Sequence, residues 1–393
     1  MLGDNAVRRI TDLRAALPFP GSHVPANLQH RQHLSVGSLL GTVRDSRFCV
    51  SVRTSAAAVS IVCATACAVV ILRAATPPVL NEPLVGRQVF STSNWWNTDI
   101  TSAPIDARSA ALIDFISGRT ATNRTPVRRL HPDFGPPPYG FPYVVVAGDQ
   151  ARVPVTFVAY GSESDTGAPG LPGYPIPNEA RTQVNYIEGG VAGGGSSGDR
   201  HMLVVDRDRW LLYETFATFW NATSARWEAG SGAVFDMSRN DRRPDGWTSA
   251  DAAGLAIFPG LIRYDEVSAA GEITHAFRVT TRGSNGYVWP ASHAAGTNAS
   301  APPMGARLRL KGSKDISGFT PEVQRIFRAM KRYGLIVADN GSDMYISGTM
   351  DARWNNDVLN PAFSALTADD FEVVQLGWRS AALAPPTNLR IVR

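Results

Sequence analysis

The chain has 393 residues, of which 44% are hydrophobic and 18% are charged, a composition typical of globular proteins and sufficient for a large core. Its net charge of +4 comes from the N-terminal part, because residues 1–79 carry +5 and residues 80–393 carry −1. This distribution does not support a globally attractive field for nucleic acid on the body of the protein, so we expect no nucleic-acid partner.

An apolar run, SAAAVSIVCATACAVVIL, follows Arg53 and precedes a Pro-containing stretch. This pattern predicts a signal peptide or signal anchor over residues 53–75, and hence a protein that is secreted or anchored to the cell surface. Contact with a membrane is expected only through an uncleaved anchor. Residues 1–52 are interpreted as a disordered tail or an over-extended gene start. The body contains no thiol for disulfide, metal or nucleophilic chemistry, because all three cysteines lie in this leader: Cys49, Cys63 and Cys67.

The folded part is predicted to begin after a linker over residues 76–92 and to form a single β-rich domain over residues 93–378. The spacing of apolar residues predicts a short helix within residues 106–116. A longer helix is predicted in TPEVQRIFRAMKRYG, with Thr320 as N-cap and Gly334 as its end. Its apolar face would consist of Val323, Ile326, Phe327 and Met330.

Short apolar segments separated by Gly and Pro predict strands from residue 130 onward. They are FPYVVVAG, VPVTFVAYG, HMLVVD, WLLYETF, ITHAFRVT, YVWPASH, ARLRLK, LIVADNG and MYISG. Many short strands with turn signals between them favour a mainly β fold, and we expect an antiparallel β-sandwich or jelly-roll-like domain.

The segment GDRHMLVVDRDRWLLYETF, residues 198–216, predicts a strand, a polar turn and a returning strand. His201 begins one apolar face, and Glu214 interrupts an apolar face of the second strand, where a carboxylate is unfavourable unless it is paired or functional. Whether the two residues share a face depends on the register of the hairpin. The preceding run EGGVAGGGSSGD lacks the features of a phosphate loop and is expected to be a mobile surface loop.

We select Glu214 and Asp251 as a candidate carboxylate pair, with His201 and His293 as further candidate catalytic residues. An alternative for Asp251 is a helix cap within SADAAG. Candidate substrate-binding residues are aromatic or basic side chains in polar segments: Trp210, Tyr213, Trp247, Arg263, Tyr264 and Trp289. No cofactor is predicted. An alternative is a divalent metal held by the histidines His201, His275 and His293 together with Glu214.

Several blocks together resemble a family of exported bacterial proteins that has no established activity. They are GDRHMLVVD, LYETF, GWTSADAAGL, FPGLIRYDEV, PPMGARLRLK and IVADNGSDMYISG, and the resemblance covers residues 90–376. It implies membership of that family and assigns no catalytic residue. The end of the chain, APPTNLRIVR, resembles the start of a fibronectin type III module. Residues 379–393 are therefore expected to be a linker to a truncated accessory module.

The first functional hypothesis is a monomeric, exported enzyme that degrades a polysaccharide, most simply a glycoside hydrolase with paired carboxylates. A polysaccharide lyase is an alternative, in which His201 or His293 and a tyrosine move a proton while Arg263 neutralises a uronate. A metal-dependent polysaccharide-cleaving enzyme is another. The remaining alternative is a non-enzymatic surface protein that binds carbohydrate through its aromatic loops.

Overall fold

A computed structural model of the protein describes residues 76–380, and all of these belong to one structural unit. The predicted tail and leader, residues 1–75, and nearly all of the predicted C-terminal linker lie outside the described residues.

The described part of the chain alternates short strands with turns and a few helices. The helices are α1 (Ser109–Ser117), α2 (Tyr264–Ser268), α3 (Pro321–Arg332) and α4 (Asn356–Ser364). The strands are β1 (Val79–Leu80), β2 (His131–Asp133), β3 (Tyr143–Val146), β4 (Val155–Phe157), β5 (Gly167–Ala168), β6 (Leu171–Pro172), β7 (Met202–Asp206), β8 (Leu211–Phe216), β9 (Phe219–Asn221), β10 (Arg226–Ala229), β11 (Ser231–Asp236), β12 (Phe277–Thr281), β13 (Arg307–Leu310), β14 (Leu335–Asn340), β15 (Tyr345–Ser347) and β16 (Phe371–Val373).

The strands form a mixed α/β architecture rather than the expected antiparallel sandwich. A five-stranded sheet has the order β1-β3-β7-β8-β11, and a six-stranded sheet has the order β16-β13-β14-β12-β15-β2. Each contains parallel neighbours, β3 with β7 in the first and β12 with β14 and β15 with β2 in the second. A three-stranded sheet, β4-β10-β9, also has a parallel pair, and β5 pairs with β6 alone.

The antiparallel expectation is wrong for a physical reason. Apolar periodicity reports which face of a strand is buried, but it does not report the direction of the neighbouring strand. The segment YVWPASH also does not form a strand and instead contains turns around a cis peptide bond between Trp289 and Pro290.

The five-stranded sheet is buried on both faces. On one face Leu203, Val205 and Leu212 contribute to the main core, together with residues of the six-stranded sheet and of α1, α3 and α4. On the other face Val204 and Tyr213 pack in a second core with residues of the three-stranded sheet. This double burial accounts for the nearly continuous apolar sequences of β3 and β7.

The predicted helices are found close to their expected positions. In α3 the side chain of Thr320 accepts a hydrogen bond from the backbone of Val323, and Pro321 occupies the first turn. The apolar face is buried as predicted, because Val323, Ile326, Phe327 and Met330 all belong to the main core. The amphipathic pattern was sufficient here because it is contained within one element.

The segment interpreted as a linker, residues 76–92, contributes to the fold. β1 pairs antiparallel with β3, and the side chain of Asn81 donates to the carbonyl oxygen of Met350 at 2.6 Å. Within residues 76–380, none of the helices has the length and apolar character needed to cross a membrane.

Candidate functional site

The hairpin of β7 and β8 places His201 and Glu214 on the same face. Leu203 lies opposite Glu214 in the antiparallel register, so Glu214 points to the same side as Leu203 and His201. His201 packs there against the rings of Phe141 and Phe216, with centroids 5.2 and 5.4 Å away. The register therefore brings both sequence candidates to the main core, beside the six-stranded sheet.

Glu214 is completely buried and holds a turn of the backbone. Its carboxylate accepts hydrogen bonds from the amide of Ile257, at 3.0 and 2.8 Å, and from the amide of Phe258 at 2.8 Å. Burial raises the pKa of Glu214 to about 7, although these two amides favour the ionised form. The contacts fix the 3₁₀ turn Phe258–Gly260 against the sheet.

His201 forms a close ion pair with Glu188, at the start of the Gly-rich segment. The Nδ1 atom of His201 lies 2.6 Å from Oε2 of Glu188, and its Nε2 lies 3.0 Å from the carbonyl oxygen of Ala250. Burial alone would lower the pKa of His201, but the charge and hydrogen bond of Glu188 raise it to about 9. Both ring nitrogens face acceptors, so the doubly protonated imidazolium suits this environment.

The Glu188 end of the Gly-rich segment is anchored by this ion pair. Burial would raise the pKa of Glu188, but the neighbouring imidazolium and its hydrogen bonds hold the pKa below its ordinary value. The Glu188 side chain is 24% exposed, and its Oε1 has no hydrogen-bond partner in residues 76–380. An ionised carboxylate oxygen therefore remains available at the surface.

Arg278 on β12 connects the six-stranded sheet to the same site. Its guanidinium, 3% exposed, donates to both carboxylate oxygens of Asp251 at 2.8–3.2 Å. It also donates to Oγ of Ser347 at 2.8 Å and to Oδ2 of Asp339 at 3.1 Å. Burial would lower the pKa of Arg278, but the adjacent carboxylates raise it above its ordinary value.

Arg278 and His201 form a buried centre, and four carboxylates that reach the surface surround it. We name these the carboxylate rim: Asp133, Glu188, Asp199 and Asp339. Asp133 lies beside Ser347 in the register of β2 and β15, and Asp339 is the second-last residue of β14, with a side chain that is 26% exposed. Asp199 acts electrostatically on the pKa values of Asp133, His201 and Asp339. Arg278 and His201 are the buried cations of this group, and Asp133 and Asp199 also interact with His131 and Arg200, respectively.

The pKa values of three residues of the carboxylate rim are shifted, and not all in the same direction. Burial, together with the charges of Asp251 and Asp199, raises the pKa of Asp339 to about 6 in spite of Arg278. Burial and the charge of Glu188 also raise the pKa of Asp133. Glu188 is shifted in the opposite direction. Asp339 and Glu188, which both act on the pKa of Arg278, are thus shifted in opposite directions.

The two carboxylates selected from the sequence, Glu214 and Asp251, have separate partners in the structure. Asp251 is fully buried and bound to Arg278, whereas Glu214 is bound to backbone amides. They are near enough for the charge of Asp251 to raise the pKa of Glu214. Neither carboxylate has surface exposure through which it could touch a polymer.

The histidines considered as metal ligands occupy separate surroundings. His275 lies between the carboxylate of Glu266 and the carbonyl oxygen of Ala276, and Nδ1 of the half-buried His293 lies 2.8 Å from the carbonyl oxygen of Ala252. Within residues 76–380, no three His, Cys, Asp or Glu side chains are grouped as a metal site requires.

The candidate substrate-binding residues lie in several places. Trp210 and Tyr213 are buried, with Nε1 of Trp210 donating to the carbonyl oxygen of Val89 and the hydroxyl of Tyr213 accepting from Arg152. The remaining aromatic candidates are half-buried, and each has an arginine over its ring: Trp247 with Arg243, Tyr264 with Arg353, and Trp289 with Arg379. Arg263 is buried in a separate cavity with Glu266 and His275.

Sequence reasoning missed Arg278 and the entire carboxylate rim. A signal for Arg278 was available, because it interrupts an apolar strand in HAFRVT just as Glu214 does in LLYETF. Asp133 ends β2 and Asp339 lies near the end of β14, and only the strand order reveals that β12, which carries Arg278, lies between these two strands.

Comparisons of the chain with protein-family models, curated proteins and solved structures gave no match.

Proposed function

We propose that the protein is a glycoside hydrolase that cleaves a polysaccharide at the carboxylate rim. Asp339 would act as the general acid and Glu188 as the ionised partner. The observation that carries this proposal is the presence of two surface-reaching carboxylates beside one buried Arg278–His201 centre, with pKa values shifted in opposite directions. Glycoside hydrolysis needs such a pair, one carboxyl protonated and one ionised.

The proposed reaction uses a protonated Asp339 and an ionised Glu188. The proton of Asp339 passes to the glycosidic oxygen as its bond to the anomeric carbon breaks, and the leaving sugar departs with a new hydroxyl. In an inverting route, Glu188 removes a proton from the water that attacks the anomeric carbon. In a retaining route, Glu188 attacks that carbon and water later releases the sugar. The free Oε1 of Glu188 is suited to either role.

An aromatic pair lies next to the carboxylate rim. The rings of His131 and Tyr345 stack with centroids 4.3 Å apart, and each residue lies two positions before Asp133 or Ser347 on its strand. His131 is exposed and Tyr345 is half-buried. Flat rings beside a carboxylate pair supply the stacking surface that sugar rings use.

In this proposal Glu214, Asp251 and His201 are positioning residues. Asp251 orients Arg278, and Arg278 in turn contacts Asp339. His201 holds Glu188 in its ionised form. Glu214 fixes the turn that follows the Asp251 segment. The leader pattern favours action outside the cytoplasm, where polymeric substrates are encountered.

A polysaccharide panel tests the proposal, with reducing ends and unsaturated products measured separately. The wild type is expected to release reducing ends without unsaturated products, and Asp339→Asn and Glu188→Gln are each expected to lower the rate by about 10²- to 10⁴-fold. A matched control is Asp241→Asn, whose side chain is 68% exposed and pairs with Arg239. Circular dichroism shows whether each variant is folded.

Other outcomes would contradict the hydrolase. Unsaturated products would indicate a lyase, and loss of activity with a chelator would indicate a metal-dependent enzyme. Retention on a polysaccharide column without cleavage would favour the carbohydrate-binding alternative, for which the exposed ring of His131, stacked on Tyr345, is the supporting observation.

A further inference from the structure

A second polar site lies in a cavity of about 80 Å³ between α2, the segment before β12 and residues 84–89. In this measure a water molecule needs roughly 10–15 Å³, so the cavity accommodates several waters or one small polar molecule. Its polar lining includes Arg263, Asp265, Glu266 and His275. The carboxylate rim contributes no residue to this lining.

Arg263 has unused hydrogen-bonding capacity inside this cavity. The residue is only 5% exposed, and one terminal nitrogen, Nη2, donates to Oε2 of Glu266. Its Nε and Nη1 are buried and have no hydrogen-bond partner among the described residues. Buried donors without partners are unfavourable by roughly 1–3 kcal/mol each, so a ligand group that reaches them after a shift of the Arg263 side chain would remove this cost.

Asp265 has a hydrogen-bond acceptor near the free donors of Arg263. Its Oδ2 accepts from the amide of Leu84 at 2.9 Å, whereas its Oδ1 is buried without a hydrogen-bond partner in residues 76–380. That Oδ1 lies 3.6 Å from Nε of Arg263, too far for a hydrogen bond. An unused acceptor thus stands beside two unused donors.

The charges in the cavity nearly cancel and favour a neutral ligand. Arg263 and Arg87 face three acidic side chains in the lining, Asp265, Glu266 and Glu272. An anion or a cation would meet both attraction and repulsion from this mixed lining. A hydroxyl group satisfies both sides, because it accepts from Arg263 while it donates to Asp265.

We infer that this cavity binds a neutral polyhydroxylated molecule, a monosaccharide or a sugar end, through hydroxyl groups held between Arg263 and Asp265. The inference does not depend on the proposed hydrolase activity. It assigns a second carbohydrate site with residues distinct from the carboxylate rim.

Saturation-transfer NMR with D-glucose, D-galactose and D-xylose, and with acetate as the charged comparator, tests this inference on the full chain. The wild type is expected to bind at least one of the sugars and not acetate. Asp265→Asn keeps an acceptor for Leu84 but presents an amide donor to Arg263, and it is expected to weaken sugar binding by about 10- to 100-fold.

Two further variants show whether a loss of sugar binding comes from the cavity itself or from a change in folding. Arg263→Lys retains a cation near Glu266 but loses the planar set of donors, and a similar loss of sugar binding is expected. Asp241→Asn, at an exposed residue that does not line the cavity, is expected to bind as the wild type does. Absence of sugar binding in the folded wild type, binding of acetate instead, or unchanged sugar binding in folded Asp265→Asn would each overturn the inference.

Discussion

At Glu214, a carboxylate lies inside an apolar core because two backbone amides replace the water that it lost on folding. Its apolar neighbours correctly signalled an unusual residue. The same signal also fits a structural role, and complete burial favours that role here. An isolated charge on an apolar strand therefore marks a site in the fold without defining its chemistry.

The pKa of His201 gives a prediction at the scale of one residue. Because this pKa is raised from 6.5 to about 9, ionised His201 stabilises the folded state fully below pH 6.5, by about 3 kcal/mol, and this contribution is lost as the pH rises through 9. NMR titration of the ring protons is expected to give a midpoint near pH 9.

The stability measurement provides the control for this titration. The unfolding free energy of the wild type, compared with that of His201→Gln, should decline between pH 6.5 and pH 9. A ring that titrates near its ordinary pKa, with no such decline, would show that the ion pair with Glu188 does not form as described.

Among the elements, α3 gives the clearest test of packing. Phe327 is completely buried between Phe319 and Phe363, whereas Arg328 on the neighbouring face is 42% exposed and pairs with Glu272. Phe327→Ala is expected to lower the unfolding free energy by about 3–5 kcal/mol. The matched change Arg328→Ala should lower it by no more than about 1 kcal/mol.

Urea denaturation measures both values directly. Equal effects of the two substitutions would contradict the assignment of the buried face.

Elements whose signals are local could be predicted from the sequence. The cap and apolar stripe of α3 and the β7–β8 hairpin follow from short-range patterns, whereas the shared face of His201 and Glu214 needed the register of the hairpin. The partner of each strand depends on contacts that are distant in sequence. β3 and β7 are parallel neighbours, for example, although a long segment that includes β4, β5 and β6 lies between them. This nonlocal pairing explains why the antiparallel sandwich was expected and a mixed architecture was found.

At the scale of the whole molecule, the candidate site is assembled from segments far apart in the chain. Glu188 and His201 lie in the segment that precedes β7 of the five-stranded sheet. Arg278, Asp339 and Ser347 come from the six-stranded sheet. The sequence pointed to His201 and Asp251 but could not reveal that Arg278 links Asp251 to Asp339. Which of these residues come together depends on the order of strands in the sheets, and the spacing of residues along the chain does not reveal that order.

The pH dependence of kcat/KM on a cleaved polysaccharide, for the wild type and Asp339→Asn, tests the central claim most directly. Because the acid must be protonated, wild-type activity should fall as the pH rises through about 6. Asp339→Asn should be at least about 100-fold slower and should lack this decline. Wild-type kcat/KM in a folded Asp339→Asn variant, with the same alkaline decline, would contradict the assignment of Asp339 as the acid.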